Sequence, residues 1–297
     1  MRTNAIIRIV AFSIAILILI GILGSSLGFR FYTDNARVHS NHAPTEGVLS
    51  QETFTTDIKN IEIDWVAGSI TISTNPNLDT IYVYEHMSND VEYKMVCKQN
   101  GQTLKIEFDD DHERLHLFGN NQSVSKDLHI SVPSDWFCNS LEIDAAATDV
   151  QINNLRIRQV DFDGASGCLI LDHCDVDILD IETASGDVSF NGMLNELDFN
   201  AASATFEGDF LTVPHKLDLE AMSGDMTVIL PEDSGFYLEL DTMSGSFDSD
   251  FDFRITGDHF ECGDGACRIR ISAVSGDVNI LKGIASQTTT TGKNCDH

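Results

Sequence analysis

The chain has 297 residues, of which 42% are hydrophobic, so it is long enough and apolar enough to bury a substantial core. Its formal net charge at pH 7 is −29. A surface this acidic repels phosphate backbones, which argues against nucleic-acid binding and favours cations, basic peptides or simple solubility.

An apolar segment lies close to the N-terminus. Residues 9–27 contain no charged side chain and are rich in Ile and Leu. As a helix rising about 1.5 Å per residue, they cover roughly 28 Å, close to the hydrocarbon thickness of a bilayer. Arg2 and Arg8 precede the segment and favour a cytoplasmic N-terminus. We predict a short cytoplasmic stretch (1–8) and a transmembrane signal anchor (9–28); a cleaved signal peptide is the alternative.

Residues 29–52 are predicted to form a polar, turn-rich linker. After the linker, one sequence motif recurs about every 19 residues. In the copy LDIETASGDVSF, apolar residues alternate with acidic ones, a glycine permits a corner, and the alternation resumes. Self-similarity of this kind predicts stacked repeats. Copies begin at Leu141, Val160, Leu179, Leu197, Leu217, Leu238 and Ile269, and a separate copy begins at Ile61.

The recurrence predicts an all-β fold, a single-stranded, β-helix-like solenoid over residues 53–283. An antiparallel sandwich is the structural alternative, but it does not explain why the same strand–corner–strand motif recurs at a nearly constant interval. Residues 75–140 form an excursion with a hairpin signal at Asn100-Gly101, predicted to cover the first rung's edge. The tail at 284–297 is polar and predicted to be disordered.

The corners carry small residues, glycines and acids. We interpret the acids that follow the glycines as caps that accept backbone N–H groups, and they fall on alternate copies. The corner residues are Ser166, Gly167, Ser185, Gly186, Asp187, Ser223, Gly224, Asp225, Ser244, Gly245, Ser275, Gly276 and Asp277.

The outward positions of the first strand of each copy form two acidic columns. If rungs stack in chain order, neighbours lie about 4.8 Å apart and each pair repels by roughly 0.9 kcal/mol even in water. The face is therefore expected to bind divalent cations such as Ca²⁺, or a basic partner; a solvated acidic surface is the alternative. The columns comprise Glu142, Asp161, Asp180, Asp198, Asp218 and Glu239, and Asp144, Asp163, Glu182, Glu220 and Asp241, with Arg270 ending the first.

Other groups of residues give weaker indications of a metal, disulfide or catalytic site. His112 and His116 are spaced for a metal on a helix but are predicted to lie in a loop, and Cys262 and Cys267 bracket a turn that a disulfide could close. No catalytic motif is present, so we predict that the chain is not an enzyme and needs no cofactor; Ca²⁺ is a candidate ligand of the acidic columns only.

The recurrent Ser-Gly-Asp-[Val/Met] corners, as at Ser185–Val188 and Ser275–Val278, resemble the toastrack, or "putative adhesin", family of bacterial domains of unknown function. The Val-Pro and Leu-Pro steps at Val132, Val213 and Leu230 share that resemblance. It implies a β-helix-like fold and a bacterial cell-surface setting, and it transfers no catalytic residues. Members often follow one transmembrane helix, and some are associated with envelope stress.

Together these features predict a single-pass membrane protein of the bacterial envelope, with an extracytoplasmic repeat domain that acts as a binding or scaffolding module. Its expected partners are the membrane, through the N-terminal helix, and an envelope protein or the wall. Two alternatives remain open. One is a Ca²⁺-dependent polysaccharide-active enzyme on a β-helix, and the other is a membrane regulator that senses envelope stress.

Overall fold

The computed structural model describes residues 48–86, 94–108, 125–257 and 259–283. Every regular element in this part of the chain is a strand. The strands are β1 Val48–Phe54, β2 Asn60–Thr74, β3 Ile81–His86, β4 Val96–Asn100, β5 Thr103–Glu107, β6 Lys126–Val132, β7 Phe137–Asn153, β8 Arg156–Ser166, β9 Leu169–Phe210, β10 Lys216–Ser223, β11 Met226–Pro231, β12 Phe236–Thr242, β13 Phe247–Ser249, β14 Arg254–Thr256, β15 His259–Cys262, β16 Cys267–Ser275 and β17 Val278–Gly283.

Each repeat forms one rung with two extended arms joined at a corner, and most of the corners carry a glycine. In β2, Ile61 and Ile63 point inward on the first arm and Ile70 and Ile72 on the second, and all four are at most 2% exposed. The polar residues between them face outward, as the period of two requires. Aromatic rings fill the middle of the solenoid, where Phe199 and Phe206 lie 5.2 Å apart.

Neighbouring rungs pair in parallel and in register. Ile61 of β2 pairs with Leu141 of β7, and Leu141 pairs with Val160 of β8. Parallel stacking of the repeats is the arrangement of a β-solenoid, and it excludes the antiparallel sandwich. The copy at Ile61, although separated in the sequence, therefore stacks directly on the first copy of the main array.

The last two rungs do not stack in chain order, which corrects the expectation from the sequence. β16 and β17 insert between β10–β11 and β12–β13: Leu217 pairs with Ile269, and Ile269 pairs with Leu238. The rung that comes last along the chain is therefore next to last in the stack. The segment 250–266 makes this reversal possible, since it carries the chain outward and back through the hairpin of β14 and β15.

Strands from the excursion lie against the other edge of β2. β5 and β6 each pair in parallel with one arm of β2, and β3 joins β6 antiparallel with β1 outside it. β4 pairs with β5 through the turn at Asn100 and Gly101. Because β2 has neighbours on both sides, its hydrogen-bonding edge is not exposed.

No helix within the described ranges is both long and apolar enough to cross a membrane. The predicted anchor (9–28), nearly all of the linker, His112, His116 and the tail from residue 284 lie outside those ranges.

An acidic face as the candidate functional site

The two acidic columns form one face of the solenoid, and the register of the strands aligns them. On the first column, Glu62 pairs with Glu142, and Glu142 with Asp161. On the second, Asp144 pairs with Asp163, and Asp163 with Glu182. The face so defined, called the acidic face below, comprises Glu142, Asp144, Asp161, Asp163, Asp180, Glu182, Asp198, Asp218, Glu220, Glu239 and Asp241, together with Glu62 and Asp64 of β2.

Like charges perturb the acidity of the middle of this face. Desolvation, followed by the negative charges of neighbours that include Asp163, raises the pKa of Asp144 to about 6. Desolvation and the charge of Glu182 raise the pKa of Asp163 to about 6 as well. The pKa values of Glu142, Asp180, Glu182 and Glu220 are also raised, in each case first by desolvation. Full ionisation of these carboxyl groups therefore destabilises the folded protein.

Cations of the chain compensate the C-terminal part of the acidic face. Arg270 lies 3.6 Å from Asp218 and 3.3 Å from Glu239 because the reversed rung order places it between them. Lys216 lies 3.6 Å from Asp218 and 3.9 Å from Asp198. Lys105 of β5 occupies the matching position at the other end, in register with Glu62. The perturbed carboxylates of Asp144 and Asp163 lie between these two compensated ends.

Three Asp residues at the corners cap the neighbouring rung. Asp149 accepts the backbone N–H of Cys168 at 3.1 Å, Asp225 that of Asp277 at 2.8 Å, and Asp277 that of Ser246 at 2.8 Å. The backbone N–H and the hydroxyl of Ser246 both donate to the carboxylate of Asp277 and lower its pKa. The prediction that these acids alternate with uncharged rungs is wrong at one place, since the rung reversal makes Asp225 and Asp277 direct neighbours.

The corner hydroxyls and glycines also join successive rungs. Ser166 and Ser185 each donate to a carbonyl of the preceding rung at 3.3 Å. Gly186 has a φ of 126°, and a Cβ there would lie 1.8 Å from the carbonyl oxygen of Gly167. The corner at Gly186 requires glycine for this close approach as well as for the positive φ of the turn.

A buried ion pair beneath the N-terminal strands is a feature that the repeat pattern does not reveal. The side chains of Glu85 and Lys126 are both 0% exposed, with Glu85 Oε2 3.1 Å from Lys126 Nζ. Lys126 Nζ also donates to the carbonyl of Phe108 and lies 4.1 Å from the centre of the Phe108 ring. Glu85 accepts the backbone N–H of Met95 at 2.7 Å. Desolvation raises the pKa of Glu85 despite these partners.

The described part of the chain contains neither a cluster of metal-ligating side chains nor a disulfide between Cys262 and Cys267. No group of three or more His, Cys, Asp or Glu side chains there is arranged to hold a metal ion. Cys262 and Cys267 are both free thiols, so no disulfide closes the turn between them. Burial raises the pKa of Cys267 to about 12, which keeps this thiol protonated and unreactive.

Comparison with known proteins identifies the family. The family model described as Toastrack DUF4097 matches residues 58–193 and again 137–281, which together span well over half of the chain. The chain belongs to this family. The toastrack assignment accounts for the repeat pattern, and the two overlapping matches reflect how similar successive stretches of the solenoid are. No curated protein matches the chain.

Solved structures similar to this toastrack domain are named as adhesins or, in one case, as a lipid binding protein. One is a "putative adhesin" from Bacteroides fragilis, at 14% identity and a TM-score of 0.47, with 80% of this chain and 98% of that chain covered. A second is a "putative cell adhesion protein" from Clostridium sporogenes, at 12% identity and a TM-score of 0.39, with 79% and 99% covered. A third, from Parabacteroides distasonis, is named a "putative lipid binding protein", at 13% identity and a TM-score of 0.34, with 79% and 96% covered.

Proposed function

We propose that this toastrack protein is a membrane-anchored, extracytoplasmic binding module whose acidic face binds a cationic partner. The observation that carries the proposal is the in-register stack of carboxylates from Asp144 through Asp163 to Glu182. Desolvation and like charges raise the pKa values of Asp144 and Asp163 to about 6. A partner that brings positive charge to these carboxylates relieves both desolvation and mutual repulsion, and so gains affinity beyond simple screening.

The form of the face favours an extended basic segment over a chelated metal ion. The carboxylates repeat at the rung spacing of about 4.8 Å, while Ca²⁺ requires six to eight oxygens at about 2.3–2.6 Å. The described residues contain no group of three or more His, Cys, Asp or Glu positioned to hold a metal ion. Lysine and arginine side chains from a flexible partner can instead meet successive carboxylates singly. Ca²⁺ remains the alternative ligand and is included in the tests.

The setting follows from residues 9–28, which are apolar and long enough for a membrane anchor. With the basic N-terminus retained inside, the solenoid stands outside the membrane, where an envelope protein or wall component can reach the acidic face. Adhesin names among the similar structures agree with a binding role. A polysaccharide-cleaving enzyme would need a basic residue next to paired acids in a cleft. Arg270 and Lys216 on the face are instead engaged in ion pairs with Asp218, and Arg270 also pairs with Glu239.

The experiment is a binding titration of the full chain, in a mild detergent, with fluorescent oligolysine at physiological salt. We expect the triple variant Asp144→Asn, Asp163→Asn, Asp180→Asn to bind at least tenfold more weakly than the wild type. The matched control neutralises three exposed turn acids away from the face, Asp135, Glu232 and Asp233. Equal losses in the two triple variants would show that net charge alone attracts the peptide, and the proposal would be wrong.

A further inference from the structure

The outermost rung of the solenoid, formed by β12 and β13, is covered along only part of its outer edge. The hairpin strand β15 pairs with Phe236–Glu239 of this rung. Among the described strands, none pairs with the outer side of the rest, Leu240 to Ser249. We call this stretch the open edge. At the opposite end of the solenoid β2 is flanked by β5 and β6, so the two ends differ.

Backbone groups on the open edge point outward and are available for pairing. On the inner side of β13, Ser246 accepts the N–H of Val278 at 2.9 Å, and Asp250 donates its own N–H to Ile280 at 3.1 Å. Since the backbone groups of successive residues in a strand alternate between its two sides, those of Phe247 and Ser249 face away from β17. These donors and acceptors lie where another rung would add.

The apolar interior is also incompletely covered at this end. Leu240 and Phe247 are only partly buried, whereas their counterparts on the neighbouring rung, Ile271 and Val278, are 0% exposed. Phe253 packs on Phe247 with ring centres 5.9 Å apart and is itself 36% exposed. An exposed strand edge with partly uncovered apolar side chains is a template for strand addition.

The charges near the open edge indicate which kind of strand would fit. Asp248 in β13 and Asp250 and Asp252 on the segment that leaves it are all exposed. Two copies of this end would bring these acids together, which disfavours self-association. Cations in the vicinity are already engaged: Arg254 contacts Glu261 at 3.7 Å, and Lys282 lies 5.2 Å from the centre of the Phe251 ring. The complementary strand is therefore a basic one.

We propose that the open edge accepts an extended basic segment of a partner protein by strand addition. The partner's backbone pairs with Phe247 and Ser249, its alternate apolar side chains cover Leu240 and Phe247, and its Lys or Arg side chains lie next to Asp248 and Asp252. The open edge meets the acidic face at Asp241, but Phe247, Asp248 and Ser249 lie outside that face. Variants at these positions therefore test this proposal independently of the function proposed above.

The test uses the full chain in mild detergent and a short fluorescent peptide of alternating lysine and valine, followed by anisotropy. Ser249→Pro removes an outward N–H at an edge position, where proline is tolerated. Loss of that hydrogen bond is expected to weaken binding by about 2- to 10-fold. Asp248→Lys reverses a charge without changing the backbone and is expected to weaken binding at least as much. A peptide of alternating glutamate and valine should not bind.

All variants are made in the background of the triple neutralisation of Asp144, Asp163 and Asp180, which removes peptide binding at the acidic face. The lysine–valine peptide should still bind to the open edge of this background. Three outcomes would overturn the proposal. One is binding that survives both Ser249→Pro and Asp248→Lys. Another is a dimer of the chain that Ser249→Pro dissociates, which would make a second copy the occupant. The third is peptide binding that emerges only after residues 284–297 are removed, which would make the chain's own tail the occupant.

Discussion

The guanidinium of Arg270 contacts the carboxylate of Glu239 at 3.3 Å, although 31 residues separate them in the chain. The contact exists because the rung of β16 and β17 inserts between those that carry Asp218 and Glu239. Stacked in chain order, Asp218 would face Glu239, and Glu220 would face Asp241. The inserted rung replaces both acidic pairings, with Arg270 at the first position and Ser272 at the second. Charge pairing thus favours the observed order of rungs.

Replacing Arg270 is expected to destabilise the C-terminal rungs. Arg270→Ala removes two partly exposed ion pairs, each worth about 0.2–1 kcal/mol, so we expect the free energy of unfolding to fall by about 1 kcal/mol. Arg270→Glu should cost more because it restores a continuous acidic column. Urea denaturation at low and high salt measures both. The control, Arg254→Ala, removes a more exposed contact and should have a smaller effect; equal effects would contradict the account.

Gly186→Ala tests the glycine corners. The added Cβ would meet the carbonyl oxygen of Gly167 at 1.8 Å in a backbone conformation with φ of 126°. Because that carbonyl belongs to the neighbouring rung, the two rungs must separate, and we expect a loss of several kcal/mol or failure to fold. Gly101→Ala is the control. Its Cβ would have nothing within 4 Å, so only the strain of a positive φ remains, about 1 kcal/mol. Similar thermal midpoints for the two variants would refute the close approach.

The buried pair of Glu85 and Lys126 should behave as a unit. Lys126→Met leaves the carboxylate of Glu85 buried without its cation, and we expect the free energy of unfolding to fall by about 3–5 kcal/mol. The double variant Glu85→Gln, Lys126→Met removes both charges and should recover most of the loss. Chemical denaturation of the two single variants and the double variant completes the cycle. Additive losses would mean that the two side chains do not stabilise each other.

Stability should increase as the pH falls from 7 to 5. Asp144 and Asp163 have a pKa of about 6 in the folded protein and an ordinary value near 3.8 when unfolded. Between those values the folded state binds more protons, so their contribution to stability is present below about pH 4 and is lost as the pH rises through 6. Both side chains reach solvent, so added salt should weaken the effect.

Asp163→Asn isolates this effect at one position. At pH 7 it removes repulsion with Asp144 and Glu182, and we expect the thermal midpoint to rise by about 2–4 °C. At pH 5 the gain should shrink, because Asp163 is then largely protonated in the wild type. A midpoint that falls at pH 7 would show that this carboxylate stabilises the fold instead.

The rungs and their corners could be predicted from the sequence because each depends on local chemistry. Alternating apolar residues such as Leu179 and Ile181 define an arm, and the glycine after them defines the turn. Two of the aspartates that follow corner glycines, Asp225 and Asp277, accept backbone N–H groups of the neighbouring rung. In these cases the alternation of apolar and polar residues and the position of the glycine are enough to predict the local structure.

The order of the last rungs could not be read from the repeat pattern, because the copies at Leu217, Leu238 and Ile269 all have the same apolar phasing. Each could pair with either of the others. Only the charge at one outward position distinguishes the three copies. Arg270 is positively charged, and its rung is therefore most stable between two rungs that carry acids at that position. The pair of Glu85 and Lys126 was missed for a different reason. It joins the excursion to the solenoid, where no repeat indicates which residues meet.

The most direct test of the acidic face is thermal unfolding of the full chain under four conditions of matched ionic strength: NaCl with chelator, CaCl₂, MgCl₂, and NaCl with oligolysine. We predict that oligolysine raises the midpoint well beyond NaCl alone, and that neutralising Asp144, Asp163 and Asp180 abolishes the excess. A rise specific to Ca²⁺ would make the divalent ion the ligand in place of a basic partner. Equal midpoints in all four conditions would mean that the face is a solvated surface with no binding role.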